Sequence, residues 1–498
     1  MATGIIRHIG RAGWLRIWLA LAGGLGLAAA ATPAAAQPVL EPAEVRSEAS
    51  AILDHLGIVW RDLEVLETER GAVVRVLDPS FTVGEPPLRV DLADLTVEMT
   101  ALEDNTVRFK VTTGTPLAET YTADGRHDAS LTTGRMQVQG LWALQARRIF
   151  DLHADIESLA LTSNDGLMQF TIDRVAADLE MPVTAPGRLW AAVEIGPMEM
   201  RVAGIVMFAA DVLEFHMEAD GYDPSIDINF RRDFGTSPLG LPGEPPQTDA
   251  ALRTLMGRIC TDLAHIAERA EFGFRLEGMT GGEMGQVPTG SMAGTLVMDG
   301  LLEPATEIRI TFDANGLDFS AVDNPPPEDA APFVAREASL SAAWTDAPVG
   351  AILTSVGSTL TNGPQELDAA GGVMAMQVLW LLARSDLHLV LDDLTYVADG
   401  FRVAASGEGR IDPLSAFGSV WSAEVEMAGL DGLIAAAESS GAPAEMRSVL
   451  RFMAEVGRPG EPGPDGLPVL DFSLYGDANG SMGINDTDLR PLLGLRYP

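Results

Sequence analysis

The stretch LWLLARSDLHLVLDDLTYVADG at residues 379–400 repeats, with changes, the earlier stretch LWALQARRIFDLHADIESLALTSNDG at residues 141–166. Both contain Leu-Trp, an arginine, Asp-Leu-His and a closing Asp-Gly, in that order. Repetition of an ordered pattern is typical of a duplicated architecture. The alignment makes Trp142 equivalent to Trp380, and we expect the two indoles to be buried alike.

Shorter echoes follow each copy in the same order. They pair residues 190–194 with 421–425, which makes Trp190 equivalent to Trp421, and residues 274–278 with 472–476. The sequence therefore predicts two tandem related units, at residues 37–286 and 287–498. The Gly-rich segment 278–290 is the predicted boundary between them.

The period of the apolar residues predicts a β-rich α+β fold. Val107, Phe109 and Val111 alternate with polar residues, which is the pattern of a half-buried strand. The phase of a similar alternation slips near Ala93-Asp94, which predicts a bulge. Asn-Gly and Asp-Gly accept the positive φ of tight hairpins, so Asp-Ala-Asn-Gly at residues 313–316 and 477–480 predicts two turns. Each unit is thus an antiparallel meander sheet with packed helices.

Three segments have helical spacing instead. The first follows Pro42 and ends before Gly57, since Pro suits the first turn of a helix. The second is a helix near 249–270, capped by Thr248 or Asp249. The third is a helical pair near 429–457, between two strands of the second unit.

The N-terminal segment predicts secretion. Arg7, Arg11 and Arg16 precede an apolar run, and Ala34-Ala35-Ala36 forms a small-residue cleavage site. We therefore expect residues 1–36 to be a signal peptide that is cleaved after Ala36, which places the mature protein in a bacterial periplasm. The alternative is an uncleaved anchor, although the run is short for a span. No later segment is apolar and long enough to cross a bilayer.

Charge and cysteine content exclude several classes of protein. The formal net charge is −38, which repels nucleic acid and anionic membrane surfaces. Cys260 is the sole cysteine, so an intramolecular disulfide and a thiol redox pair are both impossible. Lys110 is the sole lysine and lies in a predicted strand, which excludes a P-loop and makes Schiff-base chemistry improbable.

The commonest zinc-protease and serine-hydrolase signatures do not occur in the sequence, and no two of its many carboxylates are marked out as a glycosidase-like pair. His-Glu-x-x-His and Gly-x-Ser-x-Gly are both absent. Asp477, Asn479 and Ser481 have the spacing of a calcium loop, but Met482 occupies the position that requires glycine. His153 and His388 occupy repeat positions on predicted strands, where solvent-facing residues are the simpler interpretation. We therefore assign no catalytic, cofactor-binding or metal-binding residue, and no cofactor.

Twenty methionines invite a copper hypothesis, because thioether sulfur prefers Cu(I). The densest group is Met279, Met284, Met292 and Met298. Its spacing is irregular, so filling of the core is the favoured interpretation.

The C-terminal third carries a family resemblance. Residues 401–407, Ile411-Asp412-Pro413, the strand into residues 428–431 and the helical pair resemble the alphaproteobacterial domain-of-unknown-function 2125 family. That family offers no catalytic residue to transfer. The architecture is also loosely similar to that of AsmA-like periplasmic β proteins, which handle lipids.

The sequence favours a non-enzymatic periplasmic protein of the envelope scaffold or interaction type. The alternative is a periplasmic binding or transfer protein for a lipid or another apolar ligand, because amphipathic sheets faced by helices can enclose an apolar groove. The expected partner is accordingly an envelope protein or an apolar ligand, without nucleic acid and without a transmembrane span after cleavage of the signal peptide.

Overall fold

The computed structural model describes residues 41–490 apart from gaps at 56–57, 69–70, 84–87, 103–104, 114–117, 122–126, 146–147, 184, 228, 230–248, 282–288, 319–332, 365–366, 417, 440–442 and 463–465. The predicted signal peptide lies outside the described residues. Antiparallel strands predominate, so the β-rich α+β prediction is confirmed. The helices are α1 (Pro42–His55), α2 (Asp249–Leu263), α3 (Val349–Asn362), α4 (Leu367–Arg384), α5 (Leu430–Ser439) and α6 (Ala444–Val456).

The chain divides into two compact units, Met1–Leu241 and Pro242–Pro498. This division differs from the predicted boundary at 286/287. The reason is that the Gly-rich segment joins two paired strands: Arg269–Gly281 runs antiparallel to Thr289–Asp299. The segment is therefore a connection within the second sheet, and α2 belongs to the second unit.

The first unit is a meander of strands, many of which continue one another after a short break. Its strands are β1 (Asp62–Thr68), β2 (Gly71–Leu77), β3 (Ser80–Val83), β4 (Leu88–Leu92), β5 (Leu95–Ala101), β6 (Thr106–Thr113), β7 (Ala118–Tyr121), β8 (His127–Thr132), β9 (Arg135–Ala143), β10 (Arg148–Ser163), β11 (Met168–Glu180), β12 (Gly187–Ile195), β13 (Met198–Val202), β14 (Ile205–Ala210) and β15 (Val212–Tyr222). The bulge predicted at Ala93-Asp94 is instead such a break between two strands: β5 pairs with β2 and β6, whereas β4 pairs with β3 and β7.

Helix α1 closes the core of the first unit. Val45, Ala49, Ile52 and Leu53 are the buried positions of the predicted helix. Trp142, at the end of β9, is also buried, and its Nε1 donates a hydrogen bond of 2.8 Å to Glu48 Oε2 of α1. The helix is thus held to the sheet by apolar packing and by polar contacts, which include this hydrogen bond of the indole and the ion pair of Arg46 with Asp62 of β1.

The second unit is a simpler meander. Its strands are β16 (Arg269–Gly281), β17 (Thr289–Asp299), β18 (Thr306–Asp318), β19 (Glu337–Ala347), β20 (His388–Ala398), β21 (Phe401–Ile411), β22 (Ser419–Ala428), β23 (Arg458–Pro459), β24 (Val469–Gly476), β25 (Met482–Ile484) and β26 (Thr487–Asp488). Each strand from β16 to β22 pairs with the next, and β22 pairs with β24. The segment Asp313–Gly316, which we predicted as a turn, continues strand β18, whereas Asp477–Gly480 is a turn as predicted.

Two helical groups interrupt this meander. The predicted pair is confirmed as α5 and α6, which pack over Phe401 and Phe472 at the end of the sheet. Helices α3 and α4 lie between β19 and β20, and α3 packs against both α2 and α4. The contact of α2 with α3 is close because Gly257 and Gly357 face each other. A Cβ on Gly357 would lie 2.5 Å from the carbonyl oxygen of Gly257.

The predicted equivalence of Trp142 and Trp380 is wrong. Trp142 is 1% exposed at the end of a strand, whereas Trp380 is 56% exposed on α4. Residues 369–383 are rich in alanine, methionine and leucine, and these strong helix formers extend α4 through the Leu-Trp at the start of the repeated motif. Trp190 and Trp421 do agree, since both are half-buried on strands. The tandem duplication as a whole stays a prediction.

Candidate functional site

The sheet of the second unit, which we call the second sheet, has one face that is made of apolar residues. Side chains alternate between faces along a strand, and directly paired residues share a face. The strand registers place the following residues on one face, which we call the apolar face: Ala270, Phe272, Phe274, Leu276, Met292, Gly294, Leu296, Met298, Ile308, Ile310, Phe312, Ala314, Ala338, Leu340, Ala342, Trp344, Leu389, Leu391, Leu394, Tyr396, Val403, Ala405, Gly407, Gly409, Trp421, Ala423, Val425, Met427, Leu470, Phe472, Leu474 and Gly476. None of these residues is charged.

The opposite face carries hydrogen bonds and ion pairs between strands. Arg402 Nη2 lies 2.7 Å from Glu426 Oε1, and Ser339 Oγ donates to Asp393 Oδ2 at 2.6 Å. Ser473 Oγ donates to Glu424 Oε2 at 2.7 Å. These polar groups suit that face to contact with water. The apolar face, by contrast, gains free energy when other groups bury it.

The apolar face is only partly covered. Helices α5 and α6 close its corner around Phe472, yet Phe272, Phe274, Leu389 and Leu394 remain 36–39% exposed. The contrast with the first unit is sharp. Among the described residues, the largest fully buried side chains all belong to the first unit, with Phe472 as the exception. The second sheet thus lacks a closed core beneath most of its apolar face.

A shallow lane runs along β21 on the apolar face. Its floor is Ala405, Gly407 and Gly409, and we call it the β21 lane. Leucines of β20 border the lane on one side, and Trp421, Ala423 and Val425 of β22 border it on the other. Strands β20 and β22 lie about 10 Å apart because each strand spacing is about 4.8 Å. Trp421 does not fill the lane: a Cβ on Gly476 would lie 2.6 Å from Trp421 Nε1, so the indole lies over β24. Such a lane is shaped for a linear apolar chain.

A second concavity, of about 920 Å³, lies at the start of β20. It is lined by Asp346, Ala383, Arg384, Ser385, Asp386, His388, Glu408, Gly409, Arg410, Ile411, Asp412, Pro413, Val420, Trp421 and Ser422. His388 Nε2 lies 3.6 Å from Glu408 Oε2, and the Arg384 guanidinium stacks 4.3 Å from the centre of the Trp380 ring. Opposite charges are interleaved in this cleft, so it presents no single sign of charge to a ligand, and no hydroxyl nucleophile is hydrogen-bonded to a base among the contacts it shows.

The residues weighed for metal binding are not brought together. His153 Nδ1 lies 2.8 Å from Asp178 Oδ1 on the adjacent strand, which is an ordinary cross-strand pair. Asp477 Oδ1 accepts backbone N–H groups of Asn479 and Ser481 at 2.9 and 2.8 Å, which stabilises the turn. Met279 is buried, Met292 and Met298 belong to the apolar face, and Met284 lies outside the described residues. Among the residues that the structure describes, no cluster of His, Cys, Asp and Glu is suited to a metal ion.

The lone thiol shows no sign of activation. Cys260 is half-buried on α2, and its burial raises the pKa of the thiol. A higher pKa reduces the thiolate fraction at neutral pH, and the thiolate is the reactive form. Cys260 is therefore interpreted as a packing residue.

Asp151 is the described carboxyl group with the largest change in acidity. Burial, and then the charge of Glu180 directly opposite on β11, raise its pKa to about 6, while Arg108 acts in the other direction. A raised pKa means that the folded state holds this proton more tightly than the unfolded state does. Stability therefore falls as the pH rises from about 4 to about 6.

We expect Asp151→Asn to remove that pH dependence. The whole shift would correspond to about 3 kcal/mol, but solvent screening at a half-buried site reduces the expected effect to about 1 kcal/mol. The variant should thus exceed the wild type in free energy of unfolding by that amount near pH 7.5 and should match it near pH 4. Urea unfolding at both pH values measures the difference. Glu64→Gln, at an exposed position on β1, serves as the control. A parallel pH dependence in wild type and variant would contradict the assignment.

No family model matches the chain, and no significantly similar curated protein or solved structure was found. The resemblance of the C-terminal third to the domain-of-unknown-function 2125 family stays a prediction. Within the described part of the chain, no helix has both the length and the hydropathy that a membrane span requires.

Proposed function

We propose that this protein is a non-enzymatic periplasmic protein that binds or transfers an apolar ligand, and that the ligand lies on the apolar face of the second unit. The observation that supports this most strongly is the exposure of Phe272, Phe274, Leu389 and Leu394 on one uncharged surface. Contiguous apolar patches of this kind are unusual on soluble monomers and are commonly binding surfaces.

The shape of the surface favours a chain-like ligand over a compact one. Small ligands bind in enclosed pockets with convergent polar groups. The apolar face is instead long and shallow, and the β21 lane runs along one strand. An alkyl chain laid along such a lane gains about 0.8 kcal/mol for each buried methylene. A lipid acyl chain is therefore the ligand class that suits this geometry.

The charge distribution supports capture of single lipids. A net charge of −38 disfavours docking to an anionic surface, whereas a single acyl chain on an uncharged face is little affected. The predicted signal peptide would place the protein where such lipids must cross an aqueous space.

The proposal is tested by native mass spectrometry of protein purified from its own cell envelope. We expect wild-type protein to carry lipid at near-stoichiometric level. The double variant Leu389→Asp/Leu394→Asp should lose at least about tenfold of this occupancy, because it places two charges beside the lane. Both positions are more than a third exposed, so the variant should fold.

A matched control separates binding from general surface effects. Leu66→Asp/Ile205→Asp introduces the same two charges at exposed strand positions of the first unit. This control should retain lipid. Lipid-free wild-type protein, or equal loss of lipid in both variants, would contradict the proposal.

An envelope scaffold is the second candidate. It is supported by α6, where Met446 and Val449 are 53% and 59% exposed one helical turn apart. A lipid-free wild-type mass together with a reproducible crosslinked protein partner would favour this function over lipid binding.

A further inference from the structure

Helix α4 is almost wholly apolar, and its one polar side chain between Ala369 and Ala383 is used within the fold. From Ala369 to Ala383, its sequence contains no charged residue, and its one polar side chain is Gln377. Gln377 Oε1 accepts hydrogen bonds from Ser355 Oγ at 2.9 Å and Thr359 Oγ1 at 2.8 Å. Both donors belong to α3. The contact with α3 therefore satisfies the one polar side chain of this stretch, and the residues left on the outside are apolar, whereas the outer face of a surface helix is usually polar.

The outward side of α4 is apolar and exposed. Val373, Met376, Leu379 and Trp380 are 38%, 69%, 61% and 56% exposed. Their spacing of three to four residues places them on one stripe of the helix. Helix α4 is also the outer member of its group, since it packs on α3, and α3 packs on α2. Water is an unfavourable neighbour for this stripe.

The C-terminal end of the stripe, where α4 ends at Arg384, indicates what kind of surface the stripe contacts. Arg384 lies in the last turn of α4, and its guanidinium stacks on the Trp380 ring. Tryptophan and arginine favour the boundary between lipid and water, where an apolar body and a polar tip are both satisfied. Helix–helix interfaces between proteins are commonly bordered by charged residues, whereas the stretch of α4 from Ala369 to Ala383, which contains the stripe, carries no charge.

We propose that the exposed stripe of α4 docks on the surface of an uncharged, zwitterionic lipid bilayer. The helix lies in the interface with Val373, Met376, Leu379 and Trp380 among the acyl chains, and Arg384 reaches the headgroups. The net charge of −38 directs this docking away from anionic lipids. Docking is a separate property from lipid binding on the apolar face, because it involves different residues and can hold or fail independently.

Flotation of the full-length mature protein with phosphatidylcholine vesicles tests this. We expect the wild type to float, with a blue shift of Trp380 emission that Trp380→Phe removes. Met376→Glu/Leu379→Glu should reduce the bound fraction by about tenfold or more, since it places two charges in the interface. Leu414→Glu, at a position 96% exposed on another part of the unit, should float like the wild type.

Every other result would overturn the proposal. Wild-type protein that stays unbound, or equal flotation of wild type and double variant, would exclude docking through α4. Binding that requires anionic phosphatidylglycerol would contradict the uncharged surface. A wild-type dimer in light scattering that becomes a monomer in the double variant, without vesicle binding, would identify a second copy as the occupant. Circular dichroism and thermal unfolding establish that each variant is folded.

Discussion

Replacement of Trp142 by alanine should lower the free energy of unfolding of the first unit by about 3 to 5 kcal/mol, the range for a fully buried large aromatic side chain. Trp142 is 1% exposed, and its indole N–H donates a hydrogen bond to the side chain of Glu48 in α1. The change leaves a cavity and removes a bond between α1 and β9. Urea unfolding followed by far-ultraviolet circular dichroism measures the loss.

Trp380→Ala is the matched control for Trp142. Trp380 is more than half exposed, and its described polar partner is Arg384 in the same helix. We expect a loss of no more than about 1 kcal/mol, the size of an exposed cation–π contact. Equal losses of unfolding free energy in the two variants would indicate that both tryptophans are buried alike. That result would contradict the assignment of Trp380 to an exposed helix face.

Replacement of Gly357 by alanine should destabilise the second unit by about 1 to 3 kcal/mol, the usual effect of overpacking. A methyl group at Gly357 would lie 2.5 Å from the backbone oxygen of Gly257, and one at Gly257 would lie 2.8 Å from the backbone oxygen of Gly357. Both obstacles are backbone atoms, so α2 and α3 must separate. Thermal unfolding of the variant measures the effect.

Gly372→Ala provides a control of opposite sign. Gly372 is also within a helix, α4, but a Cβ there would meet no atom within 4 Å. Alanine should stabilise the helix by about 1 kcal/mol, because it restricts the unfolded backbone more than glycine does. If both substitutions stabilise the protein, the close contact between α2 and α3 is not present in solution.

Much of the fold follows from local sequence patterns. Val107, Phe109 and Val111 alternate as predicted and are buried in β6. Helices α1, α2, α5 and α6 form where apolar residues have helical spacing and where turn residues flank them. These elements depend on neighbouring residues, which a sequence displays directly.

The errors arose where neighbouring sequence or strand pairing outweighed a short motif. Leu-Trp and Arg recur in both copies, but in the second copy these residues form the end of a long helix because the residues before them favour one. Asp313–Gly316 has the composition of a turn, yet its neighbours pair on both sides and hold it in β18. Residues 278–290 are as glycine-rich as a linker, although they join paired strands.

The candidate site was only partly predictable. Alternation predicts that a strand has an apolar side, but the same pattern results whether a helix or a lipid covers that side. The exposure of Leu389 and Leu394 depends on where helices α3 to α6 pack in the second unit. No local sequence pattern specifies that packing. The sequence alone likewise does not reveal that Gly407 and Gly409 form part of the lane floor. That follows from the strand registers, which place them between β20 and β22.

The central claim, that an acyl chain lies on the apolar face of the second unit, is tested most directly by fluorescence quenching with a dibrominated fatty acid. Bromine quenches indoles that it contacts, and Trp344 and Trp421 are the tryptophans of the apolar face. The account predicts strong quenching of the wild type, which Trp344→Phe/Trp421→Phe abolishes and Trp142→Phe/Trp190→Phe leaves intact. Undiminished quenching in Trp344→Phe/Trp421→Phe would place the ligand elsewhere and would contradict the account.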